Sequence, residues 1–329
     1  MCKVWLRVIV VSTTIFFRLP PEGTAQPIKT VTLSFRSNSG PFVIIPVMVN
    51  GTGPYDFVLD TGSTSTLIDA SLFKTLGLRQ EGTTELTSSV ADHQMQATAT
   101  VSEVTLKGIS ATALKVVSVD NFDSRVGAGL RNSGVSGAKR TTVRGILGEN
   151  FLDQFDLLID NVGRLVTLDA TEGLTQMFDG ERLPLSPTSS FEGNVVNHRP
   201  MVSATVMNYS NRPLRLLLDT ASNFLAIVPG KGALGGGTQG GNPAPVEIMT
   251  LGGKVACAAW KDQLRWGLTS VNKVDIVSCS TARAEALDNQ GSMPTFIFKR
   301  ILISHAKKYV VLNPVRRSAE TLDHSIRLR

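Results

Sequence analysis

The sequence predicts an all-β protein built from two copies of one unit. Short apolar and β-branched runs alternate with Gly, Asn and Pro along most of the 329 residues, a pattern typical of strands separated by turns. Hydrophobic residues make up 42% of the chain and charged residues 18%, which is the balance of a protein with a buried core. An acidic motif occurs twice with matched surroundings. We therefore expect two related domains of ordinary size.

The individual elements follow from local patterns. Strands are predicted for residues 43–49, 98–106 and 165–168, while Asn50-Gly51 and Asn161-Val162-Gly163 have the chemistry of hairpin turns. Helical periodicity is confined to residues 70–76 and 295–300, which predict two short helices. The Gly-rich stretches at 127–137 and 229–245 lack the spacing of phosphate-binding loops, so we interpret them as surface insertions.

The acidic motif ends an apolar run in each half of the chain. Asp60-Thr61-Gly62-Ser63 follows one such run, and Asp219-Thr220-Ala221-Ser222 follows the other. Downstream, Gly145-Ile146-Leu147-Gly148 corresponds to Gly291-Ser292-Met293-Pro294. A methionine lies twelve residues before each aspartate, at Met48 and Met207. A proline lies six residues before each aspartate, at Pro54 and Pro213.

These paired motifs resemble those of aspartic peptidases of the pepsin and retropepsin type, over about residues 42–314. The resemblance implies two homologous acid-protease-like β-barrel lobes with the active-site cleft between them. It also implies that Asp60 and Asp219 are the catalytic pair. Two adjacent carboxylates cannot both ionise cheaply, so such a pair shares a proton and can act as base and acid toward one water.

The same resemblance assigns supporting roles to the rest of each motif. Thr61 and Thr220 would bond across to the opposite loop, and Ser63 and Ser222 would hydrogen-bond the outer carboxylate oxygens. Gly62 would complete a tight loop that brings backbone N–H groups to the carboxylate.

Three features depart from the family pattern. Ala221 stands where the first half has Gly62, and Pro294 stands where it has Gly148, so one N–H is missing there. No tyrosine lies between Asp60 and the end of the first half, where pepsin-like enzymes carry one on a mobile hairpin. Residues 85–104, with a turn at 91–94, are the flap candidate by position; an ordinary surface hairpin is the alternative.

We divide the chain into a signal peptide at residues 1–25, a first lobe at 26–182, a linker at 183–190, a second lobe at 191–315 and a tail at 316–329. Lys3 and Arg7 precede a ten-residue apolar run at 8–17, which is too short to span a bilayer. We expect export to the periplasm or the medium. If the segment is not cleaved, it would instead attach the chain to a membrane by its N-terminus.

Composition excludes several other functions. The net charge of +6 comes from dispersed cations, so nucleic-acid binding is not expected. The four histidines are scattered, and neither a metal site nor a cofactor is expected. Cys257 and Cys279 would remain after signal cleavage, as one disulfide or as two buried thiols.

The sequence therefore predicts a monomeric aspartic-type endopeptidase that acts on a polypeptide substrate. One alternative is a catalytically inactive two-lobed peptide-binding protein with the same fold. A second is a peptidase that works as a homodimer through one lobe. The sequence indicates neither the substrate preference nor the pH optimum.

Overall fold

A computed structural model describes residues 29–36, 42–88, 91–120, 122, 142–185, 188–189, 195–196, 199–210, 212–228, 243–250, 253–267, 269–279 and 290–317. The strands are β1 Thr30–Ser34, β2 Ile44–Val49, β3 Thr52–Leu59, β4 Thr66–Asp69, β5 Gly82–Ser88, β6 Ala91–Leu106, β7 Ile109–Val119, β8 Val143–Leu147, β9 Asp156–Asp160, β10 Leu165–Asp169, β11 Phe178–Asp179, β12 Arg182–Pro184, β13 Thr188–Ser189, β14 Val195–Val196, β15 Met201–Val206, β16 Leu214–Asp219, β17 Leu225–Ile227, β18 Ala244–Thr250, β19 Gly253–Trp266, β20 Thr269–Cys279, β21 Gly291–Pro294, β22 Arg300–Ser304, β23 Tyr309–Leu312 and β24 Val315–Arg316. The helices are α1 Ala70–Thr75, α2 Glu149–Leu152 and α3 Gly173–Met177, with a 3-10 turn at Thr295–Ile297.

Two seven-stranded sheets with the same strand order form the bulk of the molecule. The first has the order β2-β3-β8-β4-β7-β6-β5, and the second has the order β15-β16-β21-β17-β20-β19-β18. A further pairing of β2 with β6 closes the first sheet, and β15 pairs with β19 to close the second. We call these sheets the first and second barrels. The expected all-β fold with two homologous barrels is confirmed.

A third sheet joins the two halves of the chain. Its order is β1-β10-β9-β22-β23-β12, and β9 from the first half pairs antiparallel with β22 from the second. The outer strands also correspond, since β1 pairs with β10 and β12 pairs with β23. The repeat therefore extends into the sheet that connects the barrels.

The apolar run before each acidic motif is a strand buried on both faces. Phe57 and Leu59 belong to the main core, whereas Val58 between them packs in a separate cluster with Phe42 and Ile146. Side chains on both faces of β3 are therefore covered, which is why the run is uniformly apolar rather than alternating.

Local turn chemistry accounts for other elements. Asn50 and Gly51 form the two-residue connection of β2 and β3 with φ of 49° and 73°, the positive values that a type I′ turn requires. Asp69 caps α1 because its Oδ1 accepts from the backbone N–H groups of Ser71 and Leu72.

The predicted helix at 295–300 is wrong beyond its first turn. Only Thr295–Ile297 is helical, and Arg300 already begins β22. The Asn161 side chain donates to the carbonyls of Thr295 and Phe298, which ends the turn and leads the chain into the shared sheet. Tertiary pairing thus overrides a weak local helical pattern.

Several sequence assignments fall partly or wholly outside the described residues. These are the signal segment, most of both Gly-rich stretches, residues 186–187 and 190 of the predicted linker, and residues 318–329 of the tail. Of the linker, Leu183 and Pro184 lie in β12. Of the tail, Arg316 pairs with Phe178 in a two-stranded sheet. Across the described ranges, no helix is both long and apolar enough to cross a membrane.

Candidate active site

Each motif aspartate stands at the end of a buried central strand. Asp219 is the last residue of β16, and Asp60 directly follows β3. Both strands run parallel to the partner strand that carries the downstream motif, β8 in the first barrel and β21 in the second. The Asp60 N–H donates to Leu147 O at 3.0 Å. The two equivalent strand pairs thus direct both motifs to the junction of the barrels.

The two loops are locked together by reciprocal threonine hydrogen bonds. Thr61 Oγ1 donates to Leu218 O at 2.7 Å, and Thr220 Oγ1 donates to Leu59 O at 2.6 Å. Each hydroxyl also accepts the other threonine's backbone N–H, at 3.0 and 3.3 Å. Both threonines are buried. Four bonds between the halves therefore fix the relative position of the aspartates.

The carboxyl groups are held by backbone donors and lie close together. Gly62 N–H donates to Asp60 Oδ1 at 2.7 Å, and Ala221 N–H donates to Asp219 Oδ1 at 2.8 Å. A Cβ built on Gly62 would lie 2.8 Å from Asp219 Cγ, so the second carboxyl packs directly on the first loop. Both aspartates remain partly exposed.

Burial and proximity raise the pKa of both aspartates. Desolvation and then the negative charge of Asp219 raise the pKa of Asp60 to about 8, against the lowering effects of Gly62 N–H and Arg199. Desolvation also raises the pKa of Asp219, while hydrogen bonds from Ala221 N–H and the Asp60 carboxyl oppose the rise. These shifts favour a pair that holds one proton under mildly acidic conditions, with a hydrogen bond between the two carboxyl groups.

The motif serines do not bond as expected. Ser63 Oγ donates to Ser65 O at 2.8 Å, and Ser222 Oγ donates to Phe224 O at 2.7 Å. Because a hydroxyl has one proton, these bonds replace the predicted donation to the outer carboxylate oxygens. The serines shape the loops after each aspartate instead.

Ala221 fits without backbone strain. Neither Ala221 nor Gly62 adopts a positive φ, so glycine is not required at this loop position for its conformation. Gly62 is required because Asp219 occupies the space of a side chain. The Ala221 methyl group packs against the cluster that contains Val58.

Pro294 is matched by a second change in the same half. In the first half, Gly148 N–H donates to Thr66 Oγ1 at 3.2 Å. The strand registers make Pro294 the counterpart of Gly148 and Leu225 the counterpart of Thr66. The second half therefore lacks the acceptor as well as the donor, and no polar group is left unpaired by the proline.

The sequence predicted no role for two charged residues near Asp60 and Asp219, the pair that we call the dyad. Arg199 precedes β15 and donates from Nη2 to Gly62 O. Glu149 begins α2, and its backbone N–H donates to Ser63 O at 2.8 Å. Glu149 directly follows the motif Gly145-Ile146-Leu147-Gly148, which adjoins the loop of Asp60. This position is a signal from which the sequence could have predicted a role for Glu149. Arg199 is distant in sequence from the loop it contacts.

A hairpin exists at the flap candidate, but the predicted turn is misplaced. Strand β5 ends at Ser88 and β6 begins at Ala91, so residues 91–94 belong to a strand rather than to a turn. The second barrel has the corresponding hairpin of β18 and β19.

Cys257 and Cys279 are directly opposed on β19 and β20 and form a disulfide. Within the described ranges, no group of three or more His, Cys, Asp or Glu side chains could hold a metal ion.

A family model matches the part of the chain that contains the first motif. Residues 45–151 match the family model described as aspartyl protease, which confirms the resemblance inferred from the sequence. No curated protein matches the chain. Among solved structures, the crystal structure of a retropepsin-like aspartic protease from Rickettsia conorii matches at 18% identity and a TM-score of 0.28, over 43% of this chain and 89% of that chain.

Proposed function

We propose that the chain is an aspartic-type endopeptidase that hydrolyses peptide bonds at Asp60 and Asp219, and the match of residues 45–151 to the aspartyl protease family model supports this. The reciprocal threonine bonds between the two loops are the main support. They hold two carboxyl groups side by side within one chain, which also favours an intramolecular pair over a homodimer of first halves.

In the proposed mechanism, one water lies between the aspartates. Asp219, as the ionised member, removes a proton from this water as its oxygen attacks the peptide carbonyl carbon. Asp60, as the protonated member, donates its proton to the carbonyl oxygen. When the tetrahedral intermediate collapses, one of its hydroxyl groups returns a proton to Asp60, the C–N bond breaks, and the leaving amine takes up the proton held by Asp219. The pair is thereby restored to its starting state. The raised pKa of Asp60, about 8, and its hydrogen bond to Asp219 support this assignment.

The substrate class is an extended polypeptide. Strands β5 and β18 lie at the open ends of the two sheets, so their hairpins expose backbone groups that could pair with an added strand. We assign the β5–β6 hairpin as the flap, with β18–β19 as its counterpart.

The first test is hydrolysis of an unfolded protein substrate across pH 3 to 8. The wild type, Asp60→Asn and Asp219→Asn are compared, with a statine-type transition-state mimic as inhibitor. We expect inhibitable turnover in the wild type and a loss of at least about a thousandfold in either variant, as for other residues that act as a unit. Retained activity in Asp219→Asn would favour the homodimer. A folded wild type that binds peptide without cleaving it would favour the binding-protein alternative.

We also propose that the protein is exported. The apolar segment at 8–17 with its basic flank supports a signal peptide, and the disulfide suits an oxidising compartment. N-terminal sequencing of the protein recovered from the periplasm and medium tests this. A chain that is found only in the cytoplasm and begins at Met1 would contradict it.

A further inference from the structure

A buried acid and a buried histidine meet behind the catalytic loop, and the proposed mechanism uses neither. The side chains of Glu149 and His305 are 1% and 2% exposed. His305 Nε2 lies 3.7 Å from Glu149 Oε2. Neither carboxyl oxygen of Glu149 accepts a hydrogen bond from a residue that the structure describes. A carboxylate in such a position lacks the partners that normally compensate for burial of a charge.

Glu149 and Arg199 together support two successive carbonyls of the catalytic loop. Arg199 Nη2 donates to Gly62 O, and Glu149 N–H donates to Ser63 O. Arg199 belongs to the second half of the chain and Glu149 to the first. The loop that carries Asp60 is therefore supported from both halves.

The charges around Glu149 favour its neutral form. Burial raises the pKa of Glu149 well above its ordinary value, and the nearby charges of Asp153 and Asp60 raise it further. Arg199 acts in the opposite direction. The remaining facing group is His305. A protonated Glu149 carries no charge that would offset the effect of Arg199 on the pKa of Asp60 and Asp219.

The duplication provides this cation only once. The strand registers make Phe42 the counterpart of Arg199, because Leu59 N–H donates to Val43 O just as Leu218 N–H donates to Pro200 O. The corresponding position to Glu149 in the second half is Thr295, which follows Pro294. The arginine and the acid are thus asymmetric additions around a symmetric pair of aspartates.

We propose that Arg199 is a positioning residue that holds the Asp60 loop and balances the single negative charge of the dyad, and that Glu149 assists as a buried, protonated group. This inference rests on the proposed function, because the balance matters only if the singly protonated dyad is the working form. Arg199 lowers the pKa of both Asp60 and Asp219, which agrees with the geometry. Without the cation, the dyad should keep its proton to higher pH.

The test is a pH titration of the dyad that does not depend on turnover. Protein labelled with ¹³C at the aspartate carboxyl carbons is titrated by NMR, and the two signals are assigned with Asp60→Asn and Asp219→Asn. Arg199→Gln removes the charge but keeps a donor for Gly62 O, and Arg199→Met is a second uncharged variant in case the first does not fold. Arg199→Lys keeps the charge. Arg144→Gln removes a cation from β8 that pairs with Asp69 instead, and serves as the matched control.

We expect the dyad titration to move up by about one pH unit in the uncharged Arg199 variants. It should move by less than half of that in Arg199→Lys and stay in place in Arg144→Gln. Glu149→Gln, which mimics the protonated acid, should also leave the titration in place. A downward shift in Glu149→Gln would show an ionised Glu149 and overturn its assigned state.

An unchanged titration in folded Arg199→Gln or Arg199→Met would overturn the electrostatic role, even if hydrolysis declined. The pH–rate profile of kcat/KM provides the parallel functional readout, which should shift in the same direction. A wild type without hydrolysis, but with the expected titration shifts, would reject the proposed function while leaving the charge balance intact.

Discussion

Replacement of Asp60 by asparagine should make the folded protein more stable at neutral pH, although it removes a proposed catalytic group. The pKa of Asp60 rises from 3.8 to about 8 on folding, chiefly through burial and then through Asp219. A group whose pKa is raised by folding contributes stability that is complete below pH 3.8. That stability is lost as the pH rises toward 8. Above pH 4, the unfolded chain releases a proton that the folded dyad retains.

The size of the effect follows from the linkage between proton binding and folding. One retained proton changes the free energy of unfolding by about 1.4 kcal/mol per pH unit. Between pH 4.5 and 7.5 the wild type should therefore lose up to roughly 4 kcal/mol relative to Asp60→Asn. Because both carboxyl groups are partly exposed in the cleft, we expect about half of this limit.

The assay is urea unfolding at several pH values, followed by the fluorescence of the buried Trp260 and Trp266. Asp275→Asn, at a residue whose side chain is 69% exposed, is the control for a change of net charge. The stability difference between Asp60→Asn and the wild type should grow steadily with pH. A constant difference from pH 4.5 to 7.5 would refute the shared-proton description of the dyad.

Three further predictions concern the framework of the site. Gly62→Ala should lower kcat by roughly a hundredfold because its Cβ would lie 2.8 Å from the opposite carboxyl carbon, whereas Ala221→Gly should stay within a few-fold in the same assay. Thr61→Val should destabilise the protein by about 2 to 4 kcal/mol in urea unfolding because it leaves two buried backbone groups unpaired, and Thr61→Ser should recover most of the loss. Reduction of the Cys257–Cys279 disulfide, which closes a sequence separation of 22 residues, should cost about 3 kcal/mol; reductant should leave the Cys257→Ser/Cys279→Ser variant unchanged.

The sequence predicted the elements that local patterns determine. It predicted strands at residues 43–49, 98–106 and 165–168 from their β-branched residues, and β2, β6 and β10 lie there. Asn50-Gly51 predicted a hairpin turn because asparagine and glycine tolerate positive φ, and both residues adopt it.

What the sequence could not predict depends on contacts between distant residues. The Ser63 hydroxyl had two possible acceptors, and only the fold of the loop shows that it donates to Ser65 O. The sheet shared by both halves pairs β9 with β22. A local sequence pattern cannot predict which strand, 140 residues away, will be the partner. Arg199 reads as an ordinary surface cation until the loop that it contacts is known.

The duplicated core and its surroundings have diverged to different degrees. The crossed threonine bonds obey the symmetry of the repeat, since each hydroxyl donates to the carbonyl just before the opposite aspartate. Around them the symmetry fails. Asp219 packs on Gly62, and Arg199, which supports the first loop, has Phe42 as its counterpart. Two aspartates in different surroundings have different affinities for the shared proton. An acid and a base can therefore be assigned to fixed members of the pair, which two identical loops would not allow without substrate.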